Sequence, residues 1–158
     1  MTSDALQLIR VQYEDFNVSA LYEWLRGAEG DGAIVTFTGI VRDFNAQGAL
    51  TGIELEQYAP MTEKALEQLA LKAQQKFTVS RTAIIHRIGR LHANQQIVFV
   101  GVTSHHRLAA FEAAQFIMDT LKTDVPLWKK EWIDEQQSQW VEVKSSDINA
   151  AKRWQTSD

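Results

Sequence analysis

The hydrophobic period of the chain changes several times, and each change marks an element. "LQLIRVQY" (6–13) alternates apolar and polar residues, the pattern of a half-buried strand. "NVSALYEWLRGAEG" (17–30) has helical spacing, with Asn17 or Ser19 as N-cap and Gly27 or Gly30 near the end. "GAIVTFTGIVR" (32–42) is rich in β-branched residues and predicts a strand. "GALTGIELEQY" (48–58) predicts another, and the loop with Asn45 and Gly48 between them suggests that the two pair as a hairpin. "PMTEKALEQLALKAQQKF" (60–77) is an amphipathic helix with Ala65, Leu66, Leu69 and Ala73 on its apolar stripe.

"RTAIIHRIG" (81–89) and "QIVFVGVTS" (96–104) follow as strands, and "HRLAAFEAAQFIMDTLK" (106–122) as a helix. Pro126 cannot continue that helix and biases Val125 toward extended geometry, so the chain turns at 123–126. "LWKKEW" (127–132) and "QWVEVK" (139–144) are short strands, and "DINAAKRW" (147–154) a terminal helix. Strands and helices mix without strict βαβ alternation, which predicts an α+β fold with mostly antiparallel pairing.

Composition narrows the function classes. At 158 residues without an internal repeat, linker or low-complexity tract, residues 1–158 are expected to form one domain, with about 155–158 disordered. There is no cysteine, which excludes disulfides, thiolate metal sites and a cysteine nucleophile, and fits a reducing cytoplasm. "MTSDALQLIR" has neither a basic nor an apolar leader segment, and no apolar run approaches the roughly 20 residues that span a bilayer. A cytoplasmic protein without membrane contact is therefore expected. A net charge of −4 gives no electrostatic support for nucleic-acid binding, so an anionic ligand needs a local cation cluster.

Two stretches carry candidate chemistry. In "VPLWKKEW" (125–132), strand alternation puts Trp128, Lys130 and Trp132 on one face and Lys129 and Glu131 on the other. Lys122 lies seven residues before Lys129 across a tight turn. Two ammonium groups held close depress each other's pKa, one way to make a lysine a base or nucleophile near neutral pH. The structural alternative is a helix-capping Lys122 and a strand Lys129 paired with Glu131. In "TSHHRLAAF" (103–111), a helix N-terminus with Arg107 and one histidine would make an anion site. Alternatively, His105 or His106 caps the helix and Arg107 pairs with Glu112. Arg42, at the end of "FTGIVR", is a phosphate ligand or an ordinary rim arginine. His86 and His92 have no partner at ligand spacing and are taken as packing or surface residues. No metal site or resident cofactor is expected.

"DGAIVTFTGIVRDFN", "YAPMTEKAL", "IIHRIGRL", "VFVGVTSHHRLAAFEAAQFIMDTLKTDVPLWKKE" and "AAKRW" together closely resemble the catalytic large subunit of molybdopterin synthase. The resemblance runs from about Asp31 to Trp154. It implies an α/β hammerhead-like fold and a homodimer core to which small ubiquitin-like sulfur carriers bind, giving a heterotetramer. The carrier's C-terminal Gly-Gly thiocarboxylate would enter a pocket, and two sulfurs would pass to cyclic pyranopterin monophosphate to form the dithiolene of molybdopterin.

By motif, Lys122 and Lys129 match the family's catalytic lysines. Ile40, Val41, Arg42, His106, Arg107, Lys129, Lys130 and Glu131 match substrate-contacting positions, and Phe37 and Met118 pocket-lining ones. Lys144 stands where some relatives carry arginine, so phosphate binding there would keep a point charge and lose a bidentate fork. A non-catalytic module that binds ubiquitin-like tails would need the groove but not both lysines.

One consequence comes from helix geometry. Arg107 and Lys122 are fifteen residues apart, about 22 Å along one helix at 1.5 Å per residue. A single pterin cannot touch both, so the resemblance implies a site shared across a twofold dimer.

Overall fold

The computed structural model describes residues 6–141 and 145–155. Its strands are β1 (Gln7–Gln12), β2 (Ala33–Ile40), β3 (Phe44–Asn45), β4 (Gly48–Ala49), β5 (Gly52–Gln57), β6 (Val79–Arg87), β7 (Gly89–His92), β8 (Gln96–Ser104), β9 (Leu127–Trp132) and β10 (Ser138–Val141). The helices are α1 (Val18–Arg26), α2 (Met61–Phe77), α3 (Arg107–Asp124) and α4 (Ser145–Lys152). Of the tail expected to be disordered, residues 156–158 lie outside the described residues, as does Lys144.

The first sheet has the order β1-β6-β8-β2, parallel between β1 and β6 and antiparallel elsewhere. Alternation along β6 and β8 divides the core between its two faces. Ile84, Val98, Val100 and Val102 pack against α2 and α3 through Leu66, Leu69, Ala110, Ala113 and Ile117. Ala83, Ile85 and Phe99 pack against Leu21 and Leu25 of α1. At Gly101 a Cβ would lie 2.6 Å from Leu25 Cδ1, so glycine lets α1 approach the sheet. The N-terminus of α1 is capped as its sequence predicts, Asn17 Oδ1 accepting from Ala20 N at 3.1 Å.

The second sheet, β10-β9-β5-β7, is antiparallel throughout. Ile53, Leu55, Ile88 and Leu91 join Val41 in a third cluster, and Val11, Ile97 and Leu127 pack against it. Val11 and Ile97 also pack against the first core, so the two sheets share a seam. The fold is α+β and mostly antiparallel, as expected.

The hairpin between residues 32–42 and 48–58 does not form. β2 pairs with β8, while β5 pairs with β7 and β9. The register of β2 shifts at Gly39/Ile40, and Val41 instead exchanges backbone bonds with Gln95 O (2.9 Å) and Asn94 N (2.7 Å). The chain then turns back through the short β3–β4 ribbon and enters the other sheet. Alternation gives each strand a buried face but does not name its neighbour.

Candidate active site

A cavity of about 1330 Å³ opens where the C-terminal end of α3 meets the end of β2 and the inner face of the second sheet. In β9, Leu127, Lys129 and Glu131 lie opposite Gln57, Leu55 and Ile53 of β5, so all six share one face. That face lines the cavity through Lys129, Glu131, Leu127, Ile53 and Leu55. Lys122 in the last turn of α3 also lines it, so the two lysines reach one space from two elements. Glu131 is oriented by Asn45, whose Nδ2 donates to its Oε1 at 2.9 Å.

Phe37, Ile40, Val41 and Arg42 line the wall from β2 onward, and Met118 lies one turn before Lys122. Val41 is buried, while Phe37, Ile40 and Arg42 are exposed. Three of the sequence-matched residues stand elsewhere. Lys130 faces away from the cavity, with its Nζ 4.5 Å from the ring centre of Trp140 and 5.7 Å from that of Trp132. Strand alternation is the reason: Lys130 belongs to the Trp128–Trp132 face. This corrects its grouping with Lys129 and Glu131.

His106 and Arg107 are exposed at the opposite end of α3 and do not line the cavity. His106 occupies the N-cap position without a side-chain cap bond. His105 does not cap either: its Nδ1 lies 2.8 Å from Gly30 O and 3.6 Å from Asp31 Oδ1. Among the described residues no ion pair joins Arg107 to Glu112.

Other lining residues were not singled out by sequence reasoning. Asp147 of α4 is one, and the turn that follows α4 is tied to buried Asp119 of α3. Asp119 Oδ2 accepts from Trp154 Nε1 at 2.8 Å, and its Oδ1 accepts from Gln115 Nε2 at 2.9 Å. His86 is another: it is buried, as a packing residue would be, but it also borders the cavity. The signal in the sequence was a lone polar residue on the Ile84 face of "IIHRIG". Desolvation, together with the charge of Lys122 and against a backbone hydrogen bond to Arg87, lowers its pKa to about 4. No group of three or more metal-ligating side chains occurs among the described residues.

The pattern of the MoaE protein family matches residues 11–124. The chain belongs to the MoaE family. Among this family's members, the molybdopterin synthase catalytic subunit of Yersinia pestis is 50% identical over 146 residues, covering 92% of this chain and 96% of that protein. The solved MoaE protein from Burkholderia ambifaria is 40% identical, has a TM-score of 0.80 and covers 96% of this chain and 99% of its own. A Helicobacter pylori structure, a complex of subunits 1 and 2 of molybdopterin-converting factor, is 20% identical with a TM-score of 0.71. It covers 89% of this MoaE-family chain and 93% of its own and shows the shared fold.

Proposed function

We propose that the chain is the catalytic subunit of a molybdopterin synthase, a sulfurtransferase. It would move sulfur from the thiocarboxylated C-terminus of a small ubiquitin-like carrier to cyclic pyranopterin monophosphate, forming the dithiolene of molybdopterin. The carrying observation is that Lys122 and Lys129, matched by motif to the family's catalytic lysines, reach one cavity from α3 and β9.

The cavity suits two reactants. Single small-molecule sites are typically about 300–1000 Å³, and about 1330 Å³ leaves room for a pterin and an extended Gly-Gly tail. Both reactants are anionic, and Arg42, Lys122 and Lys129 supply positive charge in a chain whose net charge is −4. Sulfur attack on the pterin and opening of its cyclic phosphate each require proton transfer. A positioned lysine ammonium can donate to a developing oxyanion or leaving group and, once neutral, take a proton back. A chain without cysteine has no thiol to relay sulfur, so sulfur must arrive on a partner. The same absence fits a cytoplasmic setting.

His106 and Arg107 enter this reading through a second copy. α3 exposes Leu108 and Phe111 beside them (68% and 60%), and β2, the outer strand of its sheet, exposes Phe37 and Ile40. A twofold pair that covers these surfaces would bring His106 and Arg107 of one chain to the lysines of the other. Lys144 is retained as a phosphate contact on the resemblance alone.

The test is to supply purified chain with thiocarboxylated carrier and the cyclic pterin and to assay dithiolene product. Product is expected, and Lys122→Ala or Lys129→Ala should lower its formation roughly 10²-fold or more, the scale of a lost acid–base group. No product from the unaltered chain, or near-normal turnover by both variants, would refute the assignment.

A further inference from the structure

Among the buried titratable groups of the described residues, only His86 is both given a fixed tautomer by the fold and placed on the cavity wall. Its Nδ1 lies 2.8 Å from the carbonyl oxygen of Arg87, which can only accept, so in the neutral ring Nδ1 carries the proton. Nε2 is then the lone-pair nitrogen. It has no hydrogen-bond partner among the described residues and is not sealed from solvent, while the residue lines the cavity. The cation whose charge acts on this ring is Lys122.

We propose that His86 is a positioning residue of this cavity: in this structure the two side chains line the same space without a hydrogen bond, and a change of Lys122 rotamer lets its ammonium donate to the open Nε2, which aims that amine at the reactants. The inference rests on the synthase reading for what Lys122 does, but the pairing itself concerns only this chain.

A neutral acceptor suits the task. A carboxylate beside Lys122 would form an ion pair and hold its proton, raising the lysine pKa. An imidazole directs the ammonium without adding a negative charge beside it. The ring stays neutral because it is buried and faces a positive charge, with a pKa of about 4. The other charged groups bordering the same space are Arg42 after β2, Lys129 and Glu131 on β9, and Asp147 on α4. Asn45 already holds Glu131, at 2.9 Å. Nε2 therefore gives Lys122 an acceptor without drawing on that carboxylate.

Three substitutions separate aiming from packing. In His86→Gln the side-chain carbonyl reaches roughly where Nε2 lies and can accept. In His86→Asn the shorter amide reproduces the Nδ1 side only, and His86→Phe fills the volume with no acceptor. Measured with carrier and cyclic pterin, kcat should fall about 10- to 100-fold in the Asn and Phe variants, with KM little changed and Gln retaining most activity. Wild-type kcat in His86→Phe would overturn the proposal. So would equal losses in all three variants that track their losses in Tm.

A second measurement needs no reaction. In long-range 1H–15N spectra of the chain alone at neutral pH, the Nε2 resonance of His86 should shift on Lys122→Met and stay in place on Lys64→Met, an exposed α2 lysine. An Nε2 signal indifferent to Lys122 would refute the pairing even if the chain is an active synthase. A shift in a chain that makes no product would keep the pairing and remove only the synthase reading.

Discussion

At the scale of the residue, burial of His86 ties stability to pH. The unfolded chain holds this imidazole near its ordinary value of 6.5, and the folded chain holds it near 4. Between those values the unfolded state binds a proton that the native state refuses, so stability falls as pH drops through the window. The full effect is up to about 3 kcal/mol at 1.36 kcal/mol per pH unit. Asp15, whose pKa is lowered first by a hydrogen bond from Gln96, acts in the same direction but only below its ordinary 3.8. Urea titrations at pH 7 and pH 4.5 should therefore show a loss in the parent chain that is largely absent in His86→Phe. Parallel losses in the two chains would show that the ring carries no linkage. Lys129 and Glu131, by contrast, were separable from Lys130 by alternation alone, because a two-residue period needs no knowledge of the fold. His86 was not legible in this way: its importance comes from α3 crossing β6, a contact between residues far apart in sequence.

At the scale of the element, α4 is small and depends on its docking. Trp154 lies edge-on to Phe77 and Phe116, with ring centres 5.5 Å away in both cases, and donates to Asp119 at 2.8 Å. Trp154→Ala removes the aromatic packing and leaves Asp119 with Gln115 and the Arg153 ion pair at 3.6 Å. Aromatic-to-alanine changes in cores cost about 3–5 kcal/mol, and a half-buried ring belongs near the low end, about 3 kcal/mol. Chemical denaturation should show that loss, and turnover should also fall because Asp147 on α4 borders the cavity. A loss below about 0.5 kcal/mol, the level of ordinary surface substitutions, would mean that α4 is held by something else. Elements of this kind were readable from their periods, including the apolar stripe of α2 with Leu66, Leu69 and Ala73. Pairing was not readable. Only the short β3–β4 ribbon at the turn signal separates β2 from β5, yet the two strands belong to different sheets.

At the scale of the whole molecule, α3 decides how many chains make one site. It runs from Arg107 to Asp124, about 27 Å at 1.5 Å per residue, with the cavity at its C-terminal end only. His106 and Arg107 stand at the other end, exposed and outside this cavity, beside exposed Leu108 and Phe111. If a twofold partner brings them to its neighbour's lysines, lesions at opposite ends of α3 should complement. Arg107→Ala and Lys122→Ala chains, each nearly inactive alone, are mixed in equal amounts under conditions of subunit exchange. In a mixed dimer one site collects both lesions and the other collects neither. Random exchange makes half the dimers mixed, so about a quarter of all sites become intact. Activity should rise toward a quarter of the parent value as exchange proceeds, and should not rise when exchange is blocked by cross-linking each parent first. If every site is built within one chain, each keeps its lesion, mixing restores nothing, and the shared-site arrangement is wrong.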